Sequence, residues 1–208
     1  MNEYFEMFLD ELGPATHQRP VPTSSIERYR GKLPQQLLEY WEEYGWCGYA
    51  NGLFWTVDPQ EYEPVLKAWI GETQFMEKDA YHLIARSAFG KLYFWGENTG
   101  DTLKVFAPGS YCLPRASLFR KDELERGLRV FFSNRDREEN DFADLFAPAL
   151  RKLGPLAHDE LYGFVPALAL GGPSDIGHLQ KVKAVEHLVF LAQLAPLEIM
   201  APPSTEKS

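Results

Sequence analysis

The thirty residues from Leu33 to Tyr62, LPQQLLEYWEEYGWCGYANGLFWTVDPQEY, constrain the fold more than any other stretch, because helix, turn and aromatic signals are densest there. Pro34 suits the first turn of a helix, where its missing N–H goes unneeded. Leu37, Leu38, Trp41 and Tyr44 then recur at helical spacing, and Gly45 supplies a C-terminal stop. Trp46 and Tyr49 lead to Gly52 and a compact apolar run, Leu53 to Val57, which predicts a buried strand before Asp58-Pro59 opens another helix. The expected order is helix, turn, strand, helix. Three of the five tryptophans, Trp41, Trp46 and Trp55, fall in this segment, so a core is expected to form around them.

On either side the same signals extend the reading. The start, MNEYFEMFLDEL, is an acidic amphipathic helix with Tyr4, Phe8 and Leu12 on one face and Phe5 and Leu9 beside them. Gly13-Pro14, Pro20 and Pro22 mark a loop, and Ser24-Ser25-Ile26-Glu27 has the capping-box pattern of a short helix to about Arg30. A helix from about Gln60 turns Tyr62, Val65, Leu66, Trp69 and Ile70 inward and Glu61, Glu63 and Lys67 outward, ending at Gly71. Tyr81–Ser87, Leu92–Trp95 and Leu103–Phe106 read as strands of a small antiparallel sheet. Beyond Pro108-Gly109 and Pro114 the character changes toward helices. Asp122 and Asp141 are placed to start two of them, a charged exposed loop runs from Asn134 to Asn140, Gly163 to Leu170 is a strand-like run, and a largely buried helix spans about Leu179 to Ala195. The fold class is therefore α+β: N-terminal helices packed on a small antiparallel sheet over residues 1–112, a smaller, mostly helical α+β domain over 113–199, and a disordered tail over 200–208.

Composition excludes several function classes. The 45% hydrophobic and 14% aromatic fractions predict a folded chain, and no apolar run approaches a membrane span. The acidic start does not resemble a signal peptide, so a cytoplasmic location is expected, where Cys47 and Cys112, both in apolar surroundings, are buried thiols. Net charge is −9, divided as 16 acidic and 9 basic residues (−7) over 1–110 and 14 and 12 (−2) over 111–208. Such a chain repels phosphate backbones, so direct nucleic-acid binding is not expected and a basic protein partner is.

Catalytic motifs are missing. The histidines at 17, 82, 158, 178 and 187 have no metal-binding spacing, so neither a metal nor another cofactor is expected. Gly172 to Leu179, GPSDIGHL, has the glycine separation of a phosphate loop but His178 and Leu179 where lysine and a hydroxyl are required. No nucleophile elbow is present, and the one SxxK, Ser204 to Lys207, lies in the tail. The carboxylates Asp136, Glu138, Glu139, Asp141 and Asp144 read as a solvated loop and helix start, and Asp159-Glu160 as a turn or cap. The chain is not expected to be an enzyme.

Two family resemblances follow from longer motifs. LPQQLLEYWEEYGWCGYANGLFWTVDPQEYEPVL with YFWGENTGDTLKVFAP resembles the GAD-like domain, a small module similar to insert domains of some tRNA-linked enzymes. LFAPALRKLGPLAHDELYGFVPALALGGPSDIGHLQKVKAVEHLVFLAQL is similar to the C-terminal domain of immunity proteins paired with type VI secretion DNase toxins. The matching positions Gly154, Pro155, Tyr162, Gly163, Phe164, Pro166, Gly171 and Gly172 are of the kind that shapes turns and cores. The resemblance implies a cytoplasmic antidote that binds and blocks a cognate nuclease toxin. The alternative is a non-catalytic regulatory or ligand-sensing module. Because a nuclease presents basic groups to phosphate, the partner-binding candidates are Glu61 and Glu63 on the outer face of a helix and Asp136, Glu138 and Glu139 on the charged loop.

Overall fold

The structure, a computed structural model, describes residues 2–200. Its first elements are Glu3–Leu12 (α1), Thr16–Arg19 (β1), Thr23–Tyr29 (α2), Gln35–Tyr44 (α3), Trp46–Tyr49 (β2), Phe54–Thr56 (β3), Glu63–Ile70 (α4) and Gln74–Lys78 (α5). A four-strand meander follows: Tyr81–Ser87 (β4), Lys91–Gly96 (β5), Gly100–Phe106 (β6) and Tyr111–Pro114 (β7). Then come Leu124–Ser133 (α6), Arg137–Asn140 (α7), Phe146–Leu153 (α8), the hairpin Glu160–Phe164 (β8) and Leu179–Lys183 (β9), Ala184–Leu194 (α9) and Glu198–Ile199 (β10). The fold is α+β. Met200 N–H donates to the Cys112 carbonyl at 3.0 Å, and the rest of the expected tail, residues 201–208, lies outside the described residues.

The main sheet has eight strands in the order β1-β2-β3-β4-β5-β6-β7-β10, antiparallel throughout except where β10 runs parallel to β7. It is larger than the small sheet expected because four strands carry little local signal. β1 (THQR) is a polar edge strand inside the predicted loop. β2 (WCGY) is fully buried, yet Gly48 makes it read as a turn. That glycine suits a close approach, since a Cβ there would press on the Trp55 ring of the paired strand at 3.2 Å. β7 ends in Pro114 directly after a Pro-Gly turn, and β10 is two residues long. The order around the tryptophans is thus helix, strand, turn, strand, helix. Gly45, at φ 74°, is indispensable at the end of α3, because a Cβ there would lie 2.4 Å from the Arg19 carbonyl oxygen.

Several helix boundaries also move. α2 starts at Thr23 behind Pro22 with no side-chain cap, so the Ser24–Glu27 box does not form and Glu27 pairs with Arg30 instead. Asp122 sits inside a short 3-10 turn, Lys121–Glu123, ahead of α6. α5, in the stretch after Gly71, had no sequence counterpart. The predicted helix from Leu179 divides: its first five residues pair with β8 in register Phe164↔Leu179 to Glu160↔Lys183, and only Ala184 onward is helical. α9 buries Ala184, Leu188 and Leu191 while Phe190 is 47% exposed, so one face rather than the whole helix is covered.

Alternation along the strands decides what each face of the sheet meets. On one face Phe54, Tyr93 and Trp95 pack edge-on against Phe8 of α1 and Phe131 of α6. Lys91 and Lys104 share this face, since Lys91 is two residues from Tyr93 and Lys104 pairs with it. On the other face Trp55, Arg86 and Leu92, paired across β3, β4 and β5, meet the elements around α4, β8 and α9. Arg86, wholly buried, donates from Nε to the Tyr62 hydroxyl at 2.7 Å and from Nη2 to the His158 and Glu160 carbonyls at 2.8 and 2.9 Å. The indole N–H of Trp69 reaches the Leu188 carbonyl at 3.0 Å. One continuous hydrophobic core runs through both halves of the chain. The halves also share a cap: Glu125 of α6 accepts from the Gln35 and Gln36 N–H groups at 2.6 and 3.1 Å, serving the start of α3 where Pro34 offers no side-chain acceptor.

Candidate functional site

The five candidate acidic residues occupy two places. Glu61 precedes α4 instead of lying on its outer face, because the helix begins at Glu63. Its two oxygens accept from Arg19 Nη1 and Nη2 at 2.6 and 2.8 Å, a bidentate pair that ties the turn to edge strand β1. Glu63 is on the exposed side of α4 and pairs with Lys67 at 2.7 Å, a hydrogen bond that lowers its carboxyl below the usual range. It borders a groove of about 480 Å³ whose other walls include Arg28, Tyr29, Lys32, Leu66 and Tyr81. The surroundings of Glu63 are therefore mixed in charge rather than acidic.

The second group differs from expectation, since Arg137–Asn140 is a short helix and its neighbourhood is partly buried. Asp136 caps α7, accepting from the Glu139 N–H at 2.6 Å. Asn140, 2% exposed, accepts from the Tyr93 hydroxyl at 2.8 Å and donates to the Asp136 carbonyl at 2.7 Å. Glu138 is exposed. Glu139 turns toward the sheet, where Lys91 and Lys104 each donate to Oε1 at 2.8 Å and Arg135 Nη1 lies 3.1 Å from Oε2. Burial works to raise its carboxyl, but Arg135, Lys91 and Lys104 outweigh that and hold it at about 2. The charged segment is thus a folded ion cluster, with Asp136 and Glu138 as its outward carboxylates.

The fold does not bring the two groups together. Tyr62, between Glu61 and Glu63, is bonded to Arg86 on one face of the sheet, whereas Glu139 sits over Lys91 and Lys104 on the other. One flat partner surface can cover one group. The residues unmarked by sequence are the cations Lys91, Lys104 and Arg135. Lys91 and Lys104 lie too far along the chain from Glu139 to suggest contact, whereas the i,i+4 spacing of Arg135 and Glu139 is a signal that sequence does carry. Among the described residues no group of three His, Cys, Asp or Glu side chains is placed to hold a metal ion, and no helix is long and apolar enough to cross a membrane. Asp159, read as a turn or cap, pairs with Lys183, and Glu160 accepts from the Ala157 N–H at 2.9 Å while pairing with Lys181. Cys47 and Cys112 are buried free thiols.

Comparison with known proteins agrees with this architecture. A crystal structure of Atu4351 from Agrobacterium tumefaciens superimposes with a TM-score of 0.85 at 22% identity, covering 97% of this chain and 95% of that one, which establishes a shared fold. No curated protein matches the chain. Residues 3–109 match the GAD-like domain, and residues 125–195 match the family described as T6SS immunity protein Tdi1, C-terminal. The first match spans just over half of the sequence and the second lies on α6 to α9. The chain belongs to the GAD-like domain family, and its second part matches the C-terminal domain of a type VI secretion immunity protein, which supports an immunity role.

Proposed function

We propose that the chain is a cytoplasmic, non-catalytic antidote that neutralises a cognate type VI secretion nuclease, a DNase, by forming a one-to-one complex with it. The observation that carries this reading is the match of residues 125–195 to the immunity-protein C-terminal family. The net charge of −9 suits a partner whose cleft is basic, through steering and complementarity. In this reading one of the two acidic groups, Glu61 with Glu63 or Asp136 with Glu138, meets the basic cleft. Glu139 contributes by fixing α7 against the sheet. Effective neutralisation requires a Kd of about a nanomolar or less over an interface of roughly 1,200–2,000 Å².

The test is a pull-down of the tagged chain from its own source, followed by DNase assays of the recovered partner with and without added chain. Recovery of a nuclease silenced at equimolar ratio is the expected result. The double reversals Glu61→Lys/Glu63→Lys and Asp136→Lys/Glu138→Lys are then compared for affinity and salt dependence. One of the pairs should weaken binding at least tenfold and flatten the salt slope, and an unchanged slope for both would remove the acidic-contact part. If no nuclease is recovered while the partner is expressed, the ligand-sensing alternative takes over, favoured by the groove of about 480 Å³ beside Tyr29 and Tyr81.

A further inference from the structure

The ion cluster under α7 is unbalanced. Three cations, Arg135, Lys91 and Lys104, converge on the single carboxylate of Glu139. Of the other carboxylates acting on them, Asp101 pairs with Arg115, whereas Asp136, capping the neutral Glu139 N–H, keeps its charge, so one positive charge is left in excess. Excess charge on exposed lysines would be unremarked, but these side chains are 14% and 13% exposed and Arg135 is 3% exposed. Burial draws both lysine ammoniums below their ordinary range, with Glu139 opposing that shift. Keeping charge out of water without a full complement of counter-charge is costly.

The donors are also incompletely used. An ammonium has three N–H groups. Lys91 spends two, on Glu139 Oε1 at 2.8 Å and on the Glu139 carbonyl at 3.1 Å, and Lys104 spends one on Oε1 at 2.8 Å. Beside them opens a cavity of about 130 Å³ lined by Lys91, Lys104 and Glu139 together with Phe106, Tyr111 and Leu113, their neighbours on the same face of the sheet. A single water requires only about 10–15 Å³ of such space, so the cavity has room for a larger polar guest. We infer that this cavity binds a small oxyanion, phosphate or carboxylate, through the unused N–H groups of Lys91 and Lys104. The neighbouring rings of Phe106 and Tyr111 lower the local polarity, which strengthens the attraction. Glu139 competes with the guest for the same cations. This assignment is independent of the toxin reading.

Calorimetric titration of the full chain with inorganic phosphate and with acetate, each against sodium chloride at matched ionic strength, tests it. Saturable binding is expected for at least one oxyanion and not for chloride. Tighter binding of phosphate identifies a phosphate site, and equal or tighter binding of acetate a carboxylate site. Lys104→Gln should weaken binding at least tenfold, and Glu139→Gln, which removes the competing carboxylate, should strengthen it several-fold. That opposite sign separates a site from general screening. If Lys104→Gln fails to fold, Lys91→Gln takes its place. Heats indistinguishable from chloride, or a Glu139→Gln chain that binds no more tightly than the parent, overturn the assignment.

Discussion

Replacing Arg86 with Met tests how the second half of the chain is held to the sheet. Arg86 is fully buried on β4 and has no carboxylate hydrogen-bonded to it among the described residues; its charge is met by the Tyr62 hydroxyl, the His158 and Glu160 carbonyls, the Ser87 carbonyl at 3.3 Å and the Trp55 ring, 5.3 Å from the guanidinium carbon. Hydrogen bonds to a charged donor contribute about 1.5–3 kcal/mol each, so the three short bonds lost amount to roughly 5–9 kcal/mol, to which the longer one to Ser87 adds less. Methionine retains much of the side-chain volume, and removing a buried guanidinium returns several kcal/mol of desolvation. The expected net loss is about 2–4 kcal/mol, or roughly 10 °C in Tm for a chain of this size. Urea unfolding should show a lower midpoint at unchanged m, and hydrogen exchange should accelerate most at β8, where the Tyr162 N–H bonds the Ala88 carbonyl at 2.9 Å. Arg86→Lys keeps the charge but cannot reach all four acceptors, so it should lose nearly as much. A loss below about 1 kcal/mol for Met, or full retention by Lys, would show that geometry at Arg86 does not clamp β8.

Acid should loosen α7 before the rest of the fold. Because the Glu139 carboxyl is held at about 2, below its unfolded value, its stabilisation is complete above about pH 4.5 and is lost as pH falls toward 2. Allowing for its partial exposure, about 2 kcal/mol is at stake, and the difference in urea midpoint between the parent and Glu139→Gln should shrink across that window. A difference that stays constant from pH 6 to pH 3 would refute this. Burial raises both thiols, Cys112 to about 11 and Cys47 upward as well, so iodoacetamide at pH 8 should modify the native chain far more slowly than the urea-unfolded chain. Equal rates in the two states, followed by mass spectrometry, would contradict the burial of these cysteines.

Local pattern was enough wherever a segment's own residues decide its state. α1 with Phe8 and Leu12 buried, though Phe5 rather than Tyr4 completes its buried face, α3 between Pro34 and Gly45, the strands β4 to β6 and the buried thiols were legible because periodicity and turn chemistry act over a few residues. The two family motifs were legible for a related reason, since they are runs of adjacent residues. What the sequence left open depends on distant partners. β1, β7 and β10 are strands only because β2, β6 and β7 lie beside them, and Leu179–Lys183 became a strand because β8 offered hydrogen bonds that a helix would have forgone. The acidic segment shows the same division: its negative residues were visible, but the burial of Glu139 came from Lys91 and Lys104, 48 and 35 residues away. Sequence alone set the α+β class, the acidic charge and most of the core. Tertiary structure decided which carboxylates stay exposed and which are spent inside, because charge is local to the chain whereas its compensation depends on what folding brings into contact.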